Sequence, residues 1–476
     1  MKLHDTLTDK NISVEKLLRD KEPVRLFVCG PTVYDHSHIG HARAYLVYDA
    51  FVRYLRSRGL SVFYLQNITD IDDKIIDRAW ERRIPSGKFA REIERSYLRD
   101  MKRLGVTSVD RYARATDHIA DIQHQIERLL AGGYAYITRS GVYFSVRKFA
   151  GYGKLSRQDV DELRAGWRID PDPDKQDPLD FAMWKFKKHD YEPSWSSPWK
   201  SALNPDGTGR PGWHIEDTAI AEKYFGLSYD LHGGATDLKF PHHEAEVALA
   251  ETLLSLSPAT RKKHFVRIWM HAGLLNIRKE KMSKSAGNMV FIKDFLANHS
   301  SESLRLMVLM HHYRSPLDYS DELARQAETA YGSLLAFIGK LSFSARPIAP
   351  PADAVTRAAA AAKKKFAAAL DDDFNTPKAL AALFEFMNAC EPRVWAYSAA
   401  DARAIADALR QSLETIGFSL RPGRISVSAR LIAAARAAAR RRGLFSVSDA
   451  LRSFLERSGY AVEDTPLGQW LWRNIF

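Results

Sequence analysis

Cysteine is almost absent from this chain. Only Cys29 and Cys390 occur in 476 residues, too few for a disulfide framework, and in a reducing compartment neither is expected in a structural bridge. Long apolar runs are missing too. No stretch of about eighteen apolar residues could span a bilayer, and the opening Met1-Lys-Leu-His-Asp-Thr6 has no apolar signal core. The expectation is a cytoplasmic protein that makes no use of a membrane. Two phosphate-cradling patterns are lacking, the Gly-x4-Gly-Lys-Ser/Thr loop and a Gly-x-Gly-x-x-Gly after a strand, so any nucleotide here is held by another device. No internal repeat is found. Acidic residues are the minority, 58 against 70 Lys plus Arg for a formal charge of +12, a balance that suits an anionic partner, nucleic acid first. With 45% hydrophobic and 27% charged residues, the composition is that of a globular protein of two to four domains.

What is present begins with Arg25-Leu-Phe-Val-Cys29-Gly30-Pro31, a short apolar strand ended by Gly-Pro. His38-Ile39-Gly40-His41 follows, and a helical pattern runs from His41 to Arg58, closed by Gly59 in the left-handed position. A second strand, Ser61 to Gln66, completes a βαβ unit, whose parallel strands bind ligands in the crevice at their carboxyl ends. At the helix start, backbone N–H groups and the helix dipole favour an anion, and His38 and His41, one turn apart, reach its oxygens. Gly40 leaves that approach open. An ordinary loop–helix joint has the same four residues, so the motif needs a partner.

At the end of the second strand, in Asn67-Ile-Thr69-Asp70-Ile-Asp72-Asp73-Lys74, Thr69 and the acids are candidates for substrate contact, and Asp70 or Asp72 equally a cap for the Lys74–Arg82 segment. Helical patterns cover Lys88–Leu104 and Thr116–Leu130, and Tyr134–Val146 reads as a hairpin around Ser140-Gly141. Segment 147–212 has weak periodicity, and 120–202 reads as an insertion between two halves of one α/β domain, since parallel-sheet patterns resume after it. Gly212-Trp213-His-Ile-Glu216-Asp217 passes into a helix ending near Gly226. Asp230 to Asp237, with His232-Gly-Gly, reads as a strand running into a glycine-rich loop. Phe240-Pro241-His242-His243-Glu244-Ala-Glu246 reads as a helix start with Pro241 in its first turn. His242 and Glu246, four apart, emerge on one face, which suits metal ligation and equally an ordinary surface pair. His264–Met270 is a further strand pattern, and Lys281-Met-Ser-Lys284-Ser285 lies in a polar loop. Beyond Val290 the chain is helical, with patterns at 292–298, 303–312, 320–342, 354–370, 377–390, 400–416 and 428–442 and a linker composition at 344–351. Arg436, Arg440, Arg441 and Arg442 cluster at one helix end, with Trp470 and Trp472 nearer the C-terminus. They suit phosphate gripping and base stacking, or equally a dipole-stabilised helix end with internally packed tryptophans.

Taken together, these motifs resemble a class I aminoacyl-tRNA synthetase of the cysteinyl-tRNA synthetase family. His38-Ile-Gly-His41 is similar to the HIGH signature, and Lys281-Met-Ser-Lys-Ser285 to the KMSKS signature about 240 residues later. Cys29-Gly-Pro-Thr-Val-Tyr, Thr69-Asp-Ile-Asp-Asp-Lys74, Gly212-Trp-His-Ile-Glu216, His232-Gly-Gly and Phe240-Pro-His-His-Glu244 resemble the cysteine-specific member. The resemblance is dense over 25–290 and looser in the helical tail. It implies a Rossmann-like parallel-sheet catalytic domain in two halves (1–119 and 203–298) around the insertion 120–202. A stem-contact region (299–345), an anticodon-binding bundle (346–422) and a small basic terminal piece (423–476) would follow.

The resemblance implies ATP-dependent activation of L-cysteine and its transfer to tRNA-Cys by a monomer. His38, His41, Lys281 and Lys284 would be catalytic, with His38, Gly40, His41 and Lys284 on ATP accompanied by Mg2+. Positioning and charge stabilisation carry such a reaction. Cysteine contacts map onto Cys29, Thr69, Trp213, His232 and Asp237, and the ligands of one Zn2+ onto Cys29, position 217, His242 and Glu246. Position 217 is Asp where most members have a second cysteine, and a carboxylate also ligates zinc. tRNA contacts are expected at Arg440, Arg441, Arg442 and Trp470. Lys200 to Thr208 is longer than the family's usual link and reads as a surface loop. Two alternatives remain at this stage, a cysteine ligase acting on an amino sugar and a catalytically silent tRNA-binding paralogue.

Overall fold

The computed structural model describes residues 1–17, 22–159, 173–282, 288–343, 351–420 and 423–473. The linker reading of 344–351 lies almost wholly outside the described residues, and Lys284 lies outside them altogether. The chain divides into two compact units, one formed by Met1–Leu275, Lys281–Ile292 and Arg314–Pro316, the other by Asn276–Glu280, Lys293–Tyr313 and Leu317–Phe476.

The first unit is built on a five-stranded parallel sheet. Strand β1 (Val24–Val28) leads through helix α1 (Ile39–Ser57) to β2 (Val62–Ile68), and β3 (Arg111–Arg114) follows beyond it. After an insertion, helix α2 (Trp213–Phe225) feeds β4 (Tyr229–Ala235), and helix α3 (Glu244–Ser255) crosses to β5 (Val266–Ala272). The order across the sheet is β5-β4-β1-β2-β3, with every neighbouring pair parallel. Leu26 of β1 pairs with Tyr64 on one side and Leu231 on the other. Both faces are covered, so the strands are apolar runs rather than alternating ones: Leu26, Phe27 and Val28 are fully buried, as are Tyr64, Leu65 and Leu231. Each such side chain contributes roughly 1.5–3 kcal/mol by leaving water. The chain leaves β1 toward β2 but reaches β4 on the opposite side, so a crevice opens at the carboxyl ends of β1 and β4.

Helix α1 starts at Ile39, two residues before the expected His41, and is buried on nearly every side. Gly59 takes the expected left-handed conformation (φ 81°) after Arg58. Asp72 caps the next helix by accepting the Lys74 N–H at 2.9 Å, whereas Asp70 instead accepts from the Thr116 N–H and hydroxyl.

Two sequence readings need correction. The glycine-rich loop at 233–234 is strand, since β4 continues to Ala235. Gly233 and Gly234 serve close packing there: a Cβ on Gly233 would lie 2.6 Å from the Tyr48 ring, and one on Gly234 2.7 Å from the His243 ring. The regular helix α3 begins at Glu244, not at Pro241. His242 stands on a wider turn, Lys239–His243, in which Phe240 is extended (φ −137°, ψ 134°).

The weakly periodic segment before α2 contains strands at Phe181–Phe186, Trp195–Ser196 and Thr208–Pro211. They join the hairpin Ala135–Ile137 and Gly141–Phe144 in a five-stranded antiparallel sheet around Val142, Phe144, Met183 and Trp184. The second unit contains helices Ser301–Leu309, Asp321–Phe343, Asp353–Asp371, Thr376–Cys390 and Ala399–Glu414. Helices Val427–Arg441 and Phe445–Arg457 and the hairpin Tyr460–Thr465 with Gly468–Arg473 follow.

Candidate active site and metal centre

Cys29 follows the last residue of β1 at the floor of the crevice. The Gly30-Pro31 bend there presses against β2: a Cβ on Gly30 would lie 1.8 Å from the Asn67 carbonyl oxygen, so only glycine fits. Around the Cys29 sulfur, β4, α2, the turn before α3 and α3 itself deliver five polar side chains. Asp217 Oδ2 is 3.2 Å away, His232 Nε2 3.3 Å, His243 Nε2 3.1 Å and Glu246 Oε1 3.9 Å. His242 Nε2 completes the group at 3.1 Å from Asp217 Oδ2 and 3.2 Å from Glu246 Oε1. Cys29, Asp217, His242 and Glu246 are all buried, with one donor atom of each within 4.8 Å of the others. These are the four residues onto which the resemblance maps the metal ligands. Cys29, His232, His243 and Glu246 form a second set of the same compactness.

Chemically, the first set is a thiol, an imidazole and two carboxyls, all of them buried. Burial, then the neighbouring Glu246 and Asp217 carboxylates, pushes the Cys29 thiol well above its ordinary range. Burial and Asp217 likewise push Glu246 up, and among the described residues Glu246 Oε2 is buried without a hydrogen-bond partner, His232 Nε2 lying 3.7 Å away. Enclosed acids that raise one another in this way want a cation. Among the described residues no Lys or Arg bonds the Cys29 sulfur, so a divalent metal with mixed S, N and O ligands fits the site.

Histidines surround the set. His232 Nδ1 is 2.6 Å from the Tyr229 hydroxyl, His243 Nδ1 is 2.8 Å from His271 Nε2, and His214 Nδ1 is 3.0 Å from His242 Nδ1. Burial holds His232, His243 and His214 well below the ordinary imidazole range, so they are neutral donors and acceptors. Trp213 stacks on His242 with centroids 4.0 Å apart at 10°. Thr69 is buried beside Asn67, whose amide lies 3.4 Å from its hydroxyl. Asp237 stands on the short turn Thr236–Leu238 after β4, partly exposed, and belongs to neither donor set. The sequence reading missed His243, Tyr229, His271 and Asn67. The His242-His243 doublet was the available signal for the first, but only the fold reveals that both rings point inward.

At the other end of the crevice, the His38 and His41 rings stack with centroids 3.8 Å apart. The His38 backbone N–H donates to His41 Nδ1 at 3.3 Å, which places the His41 proton on Nε2. Burial, then His38, keeps that ring well below its ordinary range, so His41 meets an anion as a neutral N–H donor. Gly40 is required by the ring beside it: a Cβ would lie 2.8 Å from His38 Nδ1 and 3.1 Å from Met282 Cε.

Residues on both sides of the lysine loop reach this helix start. Met282 lies against Gly40, Val290 accepts the Ile39 N–H at 3.0 Å, and Ile292 donates to the Ser37 carbonyl at 2.9 Å. Lys281 ends the short strand Glu280–Lys281.

In the second unit, the Trp470 ring is 4% exposed and stacks on Trp472 at 3.8 Å, with Trp395 and Gly339 behind it. Among the described residues the Trp470 ring is thus packed as core, which argues against its expected role as a base-stacking platform. Arg436 is also internal, bonded through both terminal nitrogens to Asp464. Arg440 is 3.3 Å from Asp464 yet half exposed, and its guanidinium lies 5.9 Å over the exposed Phe445 ring. Arg441 and Arg442 are exposed at the same helix end.

Known proteins share this chain's sequence and fold. Residues 15–329 match the family described as tRNA synthetases class I (C) catalytic domain, and residues 365–421 match the DALR domain. The chain is 40% identical over 475 residues to the cysteine--tRNA ligase of Caldicellulosiruptor saccharolyticus, covering 98% of each chain. It is 41% identical over 498 residues to that of Thermococcus onnurineus, covering 100% of this chain and 99% of the relative. Among solved structures, Mycobacterium tuberculosis methionyl-tRNA synthetase in complex with methionyl-adenylate superposes with a TM-score of 0.58 at 18% identity, over 83% of this chain and 89% of that one, a likeness of fold. The chain belongs to the cysteine--tRNA ligase family of class I tRNA synthetases.

Proposed function

We propose that the chain activates L-cysteine with ATP, releasing pyrophosphate, and passes the cysteinyl group to the 3′ end of tRNA-Cys. A zinc ion on Cys29, Asp217, His242 and Glu246 would recognise the substrate thiol. The carrying observation is the convergence of those four buried donors in the crevice whose neighbouring helix start bears His38 and His41.

In the first step the cysteine carboxylate attacks the α-phosphorus and pyrophosphate leaves, so the protein's task is to hold the partners in line and stabilise charge on oxygen. His38 and the neutral Nε2–H of His41 would donate to phosphate oxygens at the N-terminus of α1, with Gly40 keeping the rings in place. Lys281 and Lys284 would complete the phosphate site, a reading supported by the bonds from Val290 and Ile292 to the start of α1. Mg2+ would accompany the ATP phosphates. Thr69, Trp213, His232 and Asp237 would orient the amino and carboxylate groups of the substrate next to Cys29.

Cysteine and serine differ by one atom, and packing alone discriminates such pairs modestly. Bound zinc supplies the missing chemistry, favouring a thiolate over a neutral hydroxyl and lowering the thiol pKa. For tRNA, Arg440, Arg441 and Arg442 remain the proposed phosphate contacts, and Phe445 replaces Trp470 as the accessible ring. The same reading makes the chain a cytoplasmic monomer with the six-part division drawn from the sequence. Nothing favours the amino-sugar ligase or the silent paralogue, because relatives of full length carry the ligase name.

Metal analysis of chelator-treated and zinc-restored protein, with cysteine- and serine-dependent ATP–pyrophosphate exchange, tests the proposal. Exchange with cysteine that depends on zinc supports it. Unchanged discrimination after complete zinc removal refutes the metal's role, and absence of any cysteine-dependent exchange refutes the activity.

A further inference from the structure

Asp217, like Glu246, is a carboxylate with two oxygens, and nothing intrinsic to such a group decides whether one or both face a metal. The structure supplies that decision through Asn67, a fully buried residue of β2. The Asn67 Nδ2 donates to Asp217 Oδ1 at 2.5 Å, while its Oδ1 accepts the Gly30 N–H at 2.5 Å. The two partners fix the amide's orientation, since an N–H can only meet the oxygen and a carboxylate can only meet the NH2 group. With Oδ1 engaged, Asp217 turns only Oδ2 to the cluster, 3.2 Å from the Cys29 sulfur and 3.1 Å from His242 Nε2. The same amide grips the backbone one residue beyond Cys29, so a single side chain ties two of the four donors to β2.

We propose that Asn67 is a positioning residue that holds Asp217 as a one-oxygen ligand and Cys29 beside it. This inference rests on the zinc reading above. Holding the carboxylate to one oxygen would leave a bound zinc able to accept the substrate sulfur, and it orders two ligands before the metal arrives. Loss of comparable orienting bonds lowers metal affinity by roughly 10–100-fold.

The test is zinc affinity of the full-length chain, measured by competition with a chromophoric chelator, for the wild type, Asn67→Leu, Asp217→Cys, the double variant and Asp217→Ala. The d–d absorption of the cobalt(II)-loaded proteins reports ligand geometry, which a general packing defect leaves unchanged. Asn67→Leu is expected to weaken zinc binding by roughly 10–100-fold and to alter the cobalt spectrum. In the Asp217→Cys background, where no carboxylate needs holding, the loss is expected to be several-fold smaller. Equal losses in both backgrounds, or wild-type affinity in Asn67→Leu, overturn the inference while leaving the ligand set intact. Undiminished zinc binding by Asp217→Ala overturns both. Thermal unfolding of the metal-free proteins separates a folding defect from a ligand defect, and an unfolded Asn67→Leu is replaced by Asn67→Ser, for which the same coupling to Asp217→Cys is required.

Discussion

Replacing Gly40 with alanine should raise stability and lower activity together, because this glycine makes room for the His38 ring rather than serving the helix backbone. Gly40 lies in the first turn of α1 with an ordinary helical backbone, and alanine is favoured over glycine in helices by roughly 0.5–1 kcal/mol. Against that, the added Cβ would stand 2.8 Å from His38 Nδ1 and 2.9 Å from Cε1, closer than such atoms approach. The His38 ring must move, and its stack on His41 at 3.8 Å goes with it. A hydrogen bond to a charged oxygen contributes about 1.5–3 kcal/mol, so loss of the His38 contact alone predicts a fall in kcat/KM for ATP of roughly 10–150-fold. Cysteine-dependent ATP–pyrophosphate exchange at varied ATP, alongside thermal unfolding, reads both effects. Exchange within about two-fold of wild type would refute the placement of the triphosphate at this helix start. A destabilised but fully active variant would refute the packing argument as well.

Further outcomes follow from the same structure. Trp470→Ala should destabilise the tail by about 3–5 kcal/mol, as truncation of a buried indole does, with the activation step unaffected. Phe445→Ala should leave urea unfolding near wild type and raise the KM for tRNA, measured by charging, because its ring is 58% exposed. The Asp464 carboxyl is held below its ordinary value by its hydrogen bond to Arg436. Its folded value lies below its unfolded one, so its stabilising effect is complete above about pH 4 and is lost as the pH falls through the folded value. Asp464→Asn should therefore lower the urea midpoint at pH 7 and converge on wild type once the pH has fallen below the folded value of this carboxyl. Gly233→Ala should impair folding, since its Cβ would enter the space of the Tyr48 ring at 2.6 Å.

Legibility in the sequence followed the strength of local signals. The parallel strands were plain because burial on both faces leaves apolar runs such as Val24–Val28 and Val62–Ile68, and α1 was bounded by a turn at one end and Gly59 at the other. Cys29, Asp217, His242 and Glu246 came from a resemblance that local spacing alone could not supply, since they arise from separate segments. Gly233 and Gly234 misled because glycine signals a loop by default, whereas here it makes room for Tyr48 and His243. Asn67 escaped notice because an asparagine at a strand end carries no signature of the two bonds it makes across the crevice. Trp470 illustrates the converse: an aromatic near arginines has the composition of a nucleic-acid platform, and only packing against Trp472 and Trp395 reveals it as core.

The most direct test of the central claim is zinc K-edge X-ray absorption on the loaded protein, alone and with cysteine or serine. One sulfur ligand with the remainder nitrogen and oxygen is predicted for the protein alone, from Cys29 with Asp217, His242 and Glu246. A second sulfur should join on adding cysteine, with no change on adding serine. A spectrum without sulfur, or one that cysteine leaves unaltered, contradicts the account.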